Sequence, residues 1–250
     1  MTIAVETIPA LDPLLSTVDA MRGRLGEGPV HGLVPGLVVT DPAGWTPAAR
    51  FADGTALPGL ISAAQRRWGA SPHAAAALAW KSYAYWVALP AVLGYTSATR
   101  VPDMSSGNVL LRLHVGPPFL EVGLGRQAVA VTPTDPLAGR PGVRVVDDLP
   151  GYLRESLLDR HLAAVLDGLH GRVHLGRRTL LGSVASAIAH ALVRAESARP
   201  GSVARGRPLL DALGLADLVE ITPALAVRRR TCCLAFTLPE PKICRGCCLD

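Results

Sequence analysis

Residues 74–93, AAAALAWKSYAYWVALPAVL, form the most apolar window of the chain. At 1.5 Å of rise per residue, a helix of this length would reach about 30 Å, the thickness of a bilayer's hydrocarbon core. Lys81 and Ser82 sit near its centre and Pro90 near its end, and a lipid-facing span tolerates such residues poorly. The stretch therefore reads as a buried amphipathic helix, and the fold must supply a core long enough to cover it. Ser71-Pro72 gives that helix its start, an N-cap followed by a first-turn proline. Trp80, Tyr83, Tyr85 and Trp86 cluster along it. With 250 residues, 49% of them hydrophobic and 18% charged, the chain can build such a core and does not have a disordered composition.

The rest of the chain arranges itself around this helix. Asp12-Pro13 opens a helix carrying Leu14, Val18, Met21 and Leu25 at helical spacing. Residues 26–56, rich in Gly and Pro, read as an irregular connection, and 57–68 as a short helix. In NVLLRLHV, residues 108–115, Leu111, Leu113 and Val115 alternate with Arg112 and His114, the period of a strand with one buried face. Residues 119–125 and 127–132 continue this as a small antiparallel meander. The stretch 133–142 reads as a linker, 143–146 as a strand, and 151–169, 175–195 and 207–220 as helices. The expected fold is α+β, mostly helical, with a small central antiparallel sheet and a C-terminal flap. Three segments follow: 1–132 with the first helices and the meander, 143–222 as a helical lobe, and 223–250, all within one compact unit. There is no phosphate-binding glycine motif after a strand.

The formal net charge is +5. Residues 223–250 carry five basic side chains (Arg228, Arg229, Arg230, Lys242, Arg245) against two acidic ones, so three of the five net charges lie there. The remaining body is too weakly charged to give a nucleic-acid footprint. Met1 to Gly23 shows no basic region followed by an apolar core, so no secretory signal is expected, nor stable membrane insertion.

All five cysteines lie between residues 232 and 248, in TCCLAFTLPEPKICRGCC. Clustered thiols in a reducing compartment point to metal or redox chemistry, and the cytoplasm is the expected location. Cys232, Cys233, Cys244 and Cys247 give the pattern C-C-x10-C-x2-C, with Cys248 attached. Four thiolates suit either a structural zinc or an iron–sulfur cluster. Adjacent residues of a strand point to opposite faces, so aiming both Cys232 and Cys233 at one zinc requires a distorted turn. A two-iron cluster accepts ligands from wider angles. The pattern is thus unusual for zinc and plausible for 2Fe–2S.

RRTCCLAF followed by C-x-x-C resembles the FhuF-type ferric siderophore reductases, in which C-C-x10-C-x2-C is preceded by Arg and followed by a Leu-x-aromatic. Here Arg229 and Arg230 precede the pair, and Leu234 and Phe236 follow it. The resemblance implies a cytoplasmic oxidoreductase that carries one 2Fe–2S cluster and reduces Fe(III) held by a siderophore, often a hydroxamate. It implies Cys232, Cys233, Cys244 and Cys247 as ligands. Cys248 departs from the pattern, either as a spare thiol or as an alternate ligand to Cys247. Adding one electron to hard Fe(III) gives softer Fe(II), which oxygen chelators hold far less strongly.

Arg229, Arg230 and Arg245 flank the thiols, where positive charge stabilises a reduced cluster and would guide an acidic electron donor such as a ferredoxin, or a flavin-dependent reductase. Ordinary solvated charge is the plainer reading of them. The substrate pocket must come from elsewhere in the fold. Trp80, Tyr83 and Trp86 on the long helix and Arg112 and His114 on the exposed strand face are the candidates, although aromatic stripes more often form core. His161, His170, His174 and His190 lack metal-ligand spacing. Two other functions fit the thiols: a non-enzymatic 2Fe–2S carrier or redox sensor, and a zinc-stabilised binding module.

Overall fold

Ser71 accepts a hydrogen bond from the Ala74 N–H at 3.4 Å, and the helix it caps, α4, runs from Pro72 to Ala98. The computed structural model of the chain describes residues 9–244 and 246–248. α4 is the axis of the molecule. Its burial does not follow one face: Ala74–Ala77, Trp80, Tyr83, Ala84 and nearly every residue from Trp86 to Ser97 are buried. The expected amphipathic helix is instead enclosed on all sides, because other helices flank it around its circumference. The helix also continues past residue 93. Gly94 lets the strand that follows fold back closely against the helix, since a Cβ there would lie 2.6 Å from the Arg100 carbonyl oxygen. Among the described residues, no helix is long and apolar enough to cross a membrane.

The helices before α4 are α1 (Asp12–Leu25), the one-turn α2 (Ala49–Ala52) and α3 (Leu57–Trp68). Those after the strands are α5 (Leu149–Leu153), α6 (Ala163–Val173), α7 (Arg177–Ala198) and α8 (Ser202–Ala212). A π-helical stretch, Arg154–Leu162, joins α5 to α6. α7 packs lengthwise on α4. Many buried residues of both helices are small, among them Ala76, Ala84 and Ala88 on α4 and Ala185, Ala189 and Ala191 on α7, and small residues let packed helices approach closely. This contact joins the segments 1–132 and 143–222 through one continuous hydrophobic core.

The fold is α+β, with three small sheets in place of one central antiparallel sheet. β4 (Val109–Leu113) and β5 (Leu120–Leu124) pair antiparallel as expected, with Leu111 opposite Val122. The third strand of the meander does not follow them. β1 (Leu33–Val38), from the stretch expected to be irregular, takes the free edge of β5 in parallel, and β2 (Thr46–Pro47) takes the far edge of β4. The residues after β5 cross instead to a second sheet, where β6 (Val129–Val131) lies between β3 (Arg100–Pro102) and β7 (Val143–Val145). β8 (Val219–Ile221) and β9 (Val227–Arg229) form a hairpin, so a boundary at residue 222 divides a paired unit. Within the expected helix 207–220, helical structure ends at Ala212 apart from a short 3-10 turn. The hairpin contacts α7 and delivers the chain to the cysteines.

Candidate metal centre

The cysteine segment is folded against β9. The Arg229 N–H donates to the Gly246 carbonyl at 3.0 Å, fixing the C-x-x-C turn beside the strand that precedes Cys232. Gly246 has φ +74°, and a Cβ there would collide with the Val227 carbonyl, so this close approach requires glycine. The Cys247 N–H donates to the Cys244 carbonyl at 3.0 Å and closes the turn. The ten residues between Cys233 and Cys244 are tied together as well: Lys242 N–H donates to the Ala235 carbonyl at 3.0 Å, and Thr237 N–H to the Leu234 carbonyl at 3.0 Å.

This folding brings Cys233 Sγ within 3.8 Å of Cys244 Sγ. A disulfide would place them about 2 Å apart. Two thiolates each about 2.3 Å from one tetrahedrally coordinated metal lie about 3.8 Å apart. The adjacent cysteines differ in burial. Cys233 is buried, while Cys232 is half-buried and accepts the Leu234 N–H at 3.3 Å. Leu234 adopts the left-handed conformation, with φ +60°, which turns the chain after the pair.

The remaining thiols belong to the same neighbourhood. Burial, then Cys233, pushes the Cys244 thiol up, and Cys247 adds to it. Burial also pushes Cys248 up, followed by Cys232 and Cys247. Cys248 is therefore in electrostatic reach of two proposed ligands, although its own side chain is exposed. Among the described residues, no three His, Cys, Asp or Glu side chains are drawn together tightly enough to hold one metal ion. Cys233 and Cys244 form the close pair; Cys232 and Cys247 stand outside it.

Positive charge surrounds that pair. Burial pushes the Cys233 thiol up, but Lys81, the Ala235 N–H and Arg229 outweigh it and hold the thiol below its usual range. Arg229 is 4% exposed. Its Nη2 donates to Ser183 Oγ at 3.2 Å, while Nε and Nη1 have no hydrogen-bond partner. No carboxylate pairs with it among the described residues. A buried guanidinium with two unpartnered nitrogens beside thiols calls for a compensating anion, which a thiolate-ligated metal centre would be. The donor set, the spacing of the Cys233–Cys244 pair and this cation fit such a group.

A cavity of about 620 Å³ opens against the cysteine segment, with Cys244 in its wall. α4 contributes Lys81, Tyr85 and Trp86, α7 contributes Ser186, His190 and Arg194, α3 contributes Trp68, and the cysteine segment contributes Lys242. His190 is kept neutral, its pKa lowered to about 4 by burial first and then by Arg194, Lys81 and Arg229. The Arg194 guanidinium lies 4.6 Å from the centre of the Tyr85 ring, whose hydroxyl donates to the Pro29 carbonyl at 2.8 Å.

The other residues singled out from the sequence are placed elsewhere. Trp80 is fully buried, its Nε1–H donating to the Leu180 carbonyl at 2.8 Å, and Tyr83 is buried beside it. Both belong to the core. Arg112 is ion-paired with Glu121 at 2.6 Å and lies over the Trp45 ring, and His114 reaches the same carboxylate at 3.3 Å. Neither borders the cavity by the cysteines. Arg230 is exposed, as is Arg228 opposite Glu220 in the hairpin. Arg245, named as a contact for substrate or donor, lies outside the described residues. Of the aromatic candidates, Trp86 alone lines the cavity.

Lys81, His190 and Arg194 were not picked out as site residues from the sequence. A signal is present: Ser186, His190 and Arg194 recur every four residues within a stretch, 180–195, otherwise made of small and apolar residues, so they share one face. No protein-family model matches the chain, and no curated protein matches it.

Proposed function

We propose that the chain is a siderophore-iron reductase in which Cys232, Cys233, Cys244 and Cys247 hold a 2Fe–2S cluster on the surface of the helical body. The observation that carries this reading is the Cys233–Cys244 pair, 3.8 Å apart beside a buried arginine with two unpartnered nitrogens. The motif resemblance to FhuF-type reductases agrees with it. When bound, the cluster would supply a one-electron donor, and one electron converts siderophore-bound Fe(III) to the more weakly chelated Fe(II).

The chain's own residues prepare the place for it. Lys81 and Arg229 favour the thiolate form of Cys233, and thiolates are the forms that bind metal. The same two cations offset negative charge that accumulates on reduction. The turns at Leu234 and Gly246 follow Cys233 and precede Cys247, and the fold between them brings Cys233 and Cys244 together. The exposed face of the segment, with Arg228 and Arg230, is available to an acidic ferredoxin or a flavin-dependent reductase as electron source. The reaction belongs to the cytoplasm, where imported ferric siderophores are unloaded.

The test is the visible spectrum of protein purified without air, before and after dithionite, together with iron and acid-labile sulfide content. Bands between roughly 400 and 600 nm that bleach on reduction are the expected result. Ferric hydroxamate and ferric catecholate chelates are then added side by side to the bleached sample, and Fe(II) formation is followed as colour returns. A colourless protein with stoichiometric zinc overturns the reading in favour of a binding module. Bleaching without reoxidation by either chelate overturns the reductase assignment in favour of a carrier or sensor.

A further inference from the structure

We infer that the cavity bordered by Lys81, Arg194 and Lys242 is the substrate pocket, and that it takes a negatively charged ferric chelate whose iron-binding groups are aromatic rings, as in catecholates. The inference rests on the reductase reading for the identity of the ligand. The charge and shape of the cavity carry it further.

Position comes first. Cys244 lies in the cavity wall and its sulfur is 3.8 Å from that of Cys233, so a chelate in the cavity would be adjacent to the thiol pair. At about 620 Å³ the cavity falls within the ordinary range for small-molecule sites.

Charge comes second. Lys81, Arg194 and Lys242 are basic, His190 is neutral, and no Asp or Glu is among the described residues lining the space. Cations inside a partly enclosed wall focus a positive potential into it. The chain has only two lysines, and both are here, although arginine supplies nearly all its positive charge elsewhere. An ammonium is a compact point charge that adapts its direction, which suits the oxygens of a bulky octahedral chelate better than a planar fork does.

The chemistry of the ligand discriminates between siderophore types. Three doubly charged catecholates leave Fe(III) in a triply negative chelate, whereas three singly charged hydroxamates leave it neutral. A neutral chelate gains little from three cations. A negative one gains more, and gains again when one electron passes to its iron and makes the whole chelate more negative. The electron would come from the thiolate-held 2Fe–2S group of the reductase reading, which would be oxidised by one electron as Fe(III) becomes Fe(II), and the Fe–O bonds would then exchange with water. Trp68, Tyr85 and Trp86 add aromatic surface to the wall against which catechol rings can pack, and the Arg194 guanidinium lies over the Tyr85 ring.

The test uses Ga(III), which forms the same chelates and is not reduced, so binding is read without turnover. Quenching of tryptophan fluorescence is titrated with Ga(III) tris-catecholate and with Ga(III) tris-hydroxamate, using air-free protein. The catecholate chelate should bind at least about tenfold tighter at low salt. The preference should shrink as salt is raised. Lys242→Gln, on an exposed segment, and Lys81→Gln should each weaken catecholate binding several-fold and leave hydroxamate binding nearly unchanged. If Lys81→Gln fails to fold, Lys242→Gln decides. Equal or tighter binding of the hydroxamate, or no effect of Lys242→Gln, overturns the inference. The visible spectrum of the same samples separates the two failures: bleachable colour without a charge preference removes the pocket assignment alone, and charge-selective binding by a colourless protein removes the reductase reading alone.

Discussion

Arg229 donates its Nη2 to Ser183 Oγ at 3.2 Å, and the other nitrogens of this buried side chain have no partner among the described residues. A buried cation without a counter-charge is costly, and it becomes favourable once an anion is placed beside it. Arg229→Met should therefore act with opposite signs in the two forms of the protein. Metal-free Arg229→Met should be more stable than the metal-free parent by on the order of 1–4 kcal/mol, whereas the loaded variant should have a more negative reduction potential and lose iron faster. Urea melts of chelator-treated protein and potentiometry of loaded protein check the two halves. Destabilisation of both forms would show that the arginine serves packing alone.

Cys233, buried and paired with Cys244, and Cys248, exposed, should differ as ligands. Cys233→Ser removes half of the close sulfur pair and should lower bound iron by more than about a hundredfold, beyond what loss of an outer partner costs. The far-ultraviolet circular dichroism should stay at the parental level, because the helical core lies elsewhere. Cys248→Ser should retain the visible bands. A colourless Cys248→Ser protein would make Cys248 a ligand in place of Cys247.

Gly246 offers a probe of the segment that leaves every thiol in place. Gly246→Ala sets a methyl group against the Val227 carbonyl in a left-handed conformation. The expected cost is about 1–3 kcal/mol, confined to the cysteine segment. Limited proteolysis should cut between residues 230 and 246 faster, and iron retention should fall. Parental proteolysis and iron content would mean that the segment is not held by this turn.

A separate pair in the core sets a pH dependence. Tyr83 Oη lies 2.6 Å from His161 Nε2, and His161 Nδ1 lies 2.7 Å from the Met104 carbonyl. Since a carbonyl only accepts, Nδ1 carries the proton and Nε2 accepts from the tyrosine. Burial lowers the His161 pKa from 6.5 to about 4. The unfolded chain thus binds a proton that the folded chain refuses between these values. The stability that neutral His161 contributes is complete above pH 6.5 and is lost progressively toward pH 4, by roughly 3 kcal/mol from this group. Denaturant melts across that window should show the fall. In His161→Asn the slope should flatten, and an unchanged slope would assign it to other groups.

How far the sequence reaches can be seen residue by residue. The helix Leu57–Trp68 and the capped start of α4 at Ser71 are local features, decided by apolar spacing and a cap, and both are legible. So is the pairing of Val109–Leu113 with Leu120–Leu124. The strand Leu33–Val38 is not, because Pro35 and Gly36 interrupt it and only its parallel partner, some ninety residues away, makes it a strand. The candidate ligands could be named from spacing alone. The cavity could not: Lys81 and His190 meet across two helices that local patterning does not align, and the burial of Arg229 depends on a hairpin docked on α7.

The two lysines give the molecule a chemical address. Reagents that acylate side-chain amines have only Lys81 and Lys242 to modify, and both border the same hollow. A fluorophore or affinity tag delivered as an active ester would mark that rim without any engineered handle, and protection from labelling by a bound ligand would become a footprint read directly by mass spectrometry.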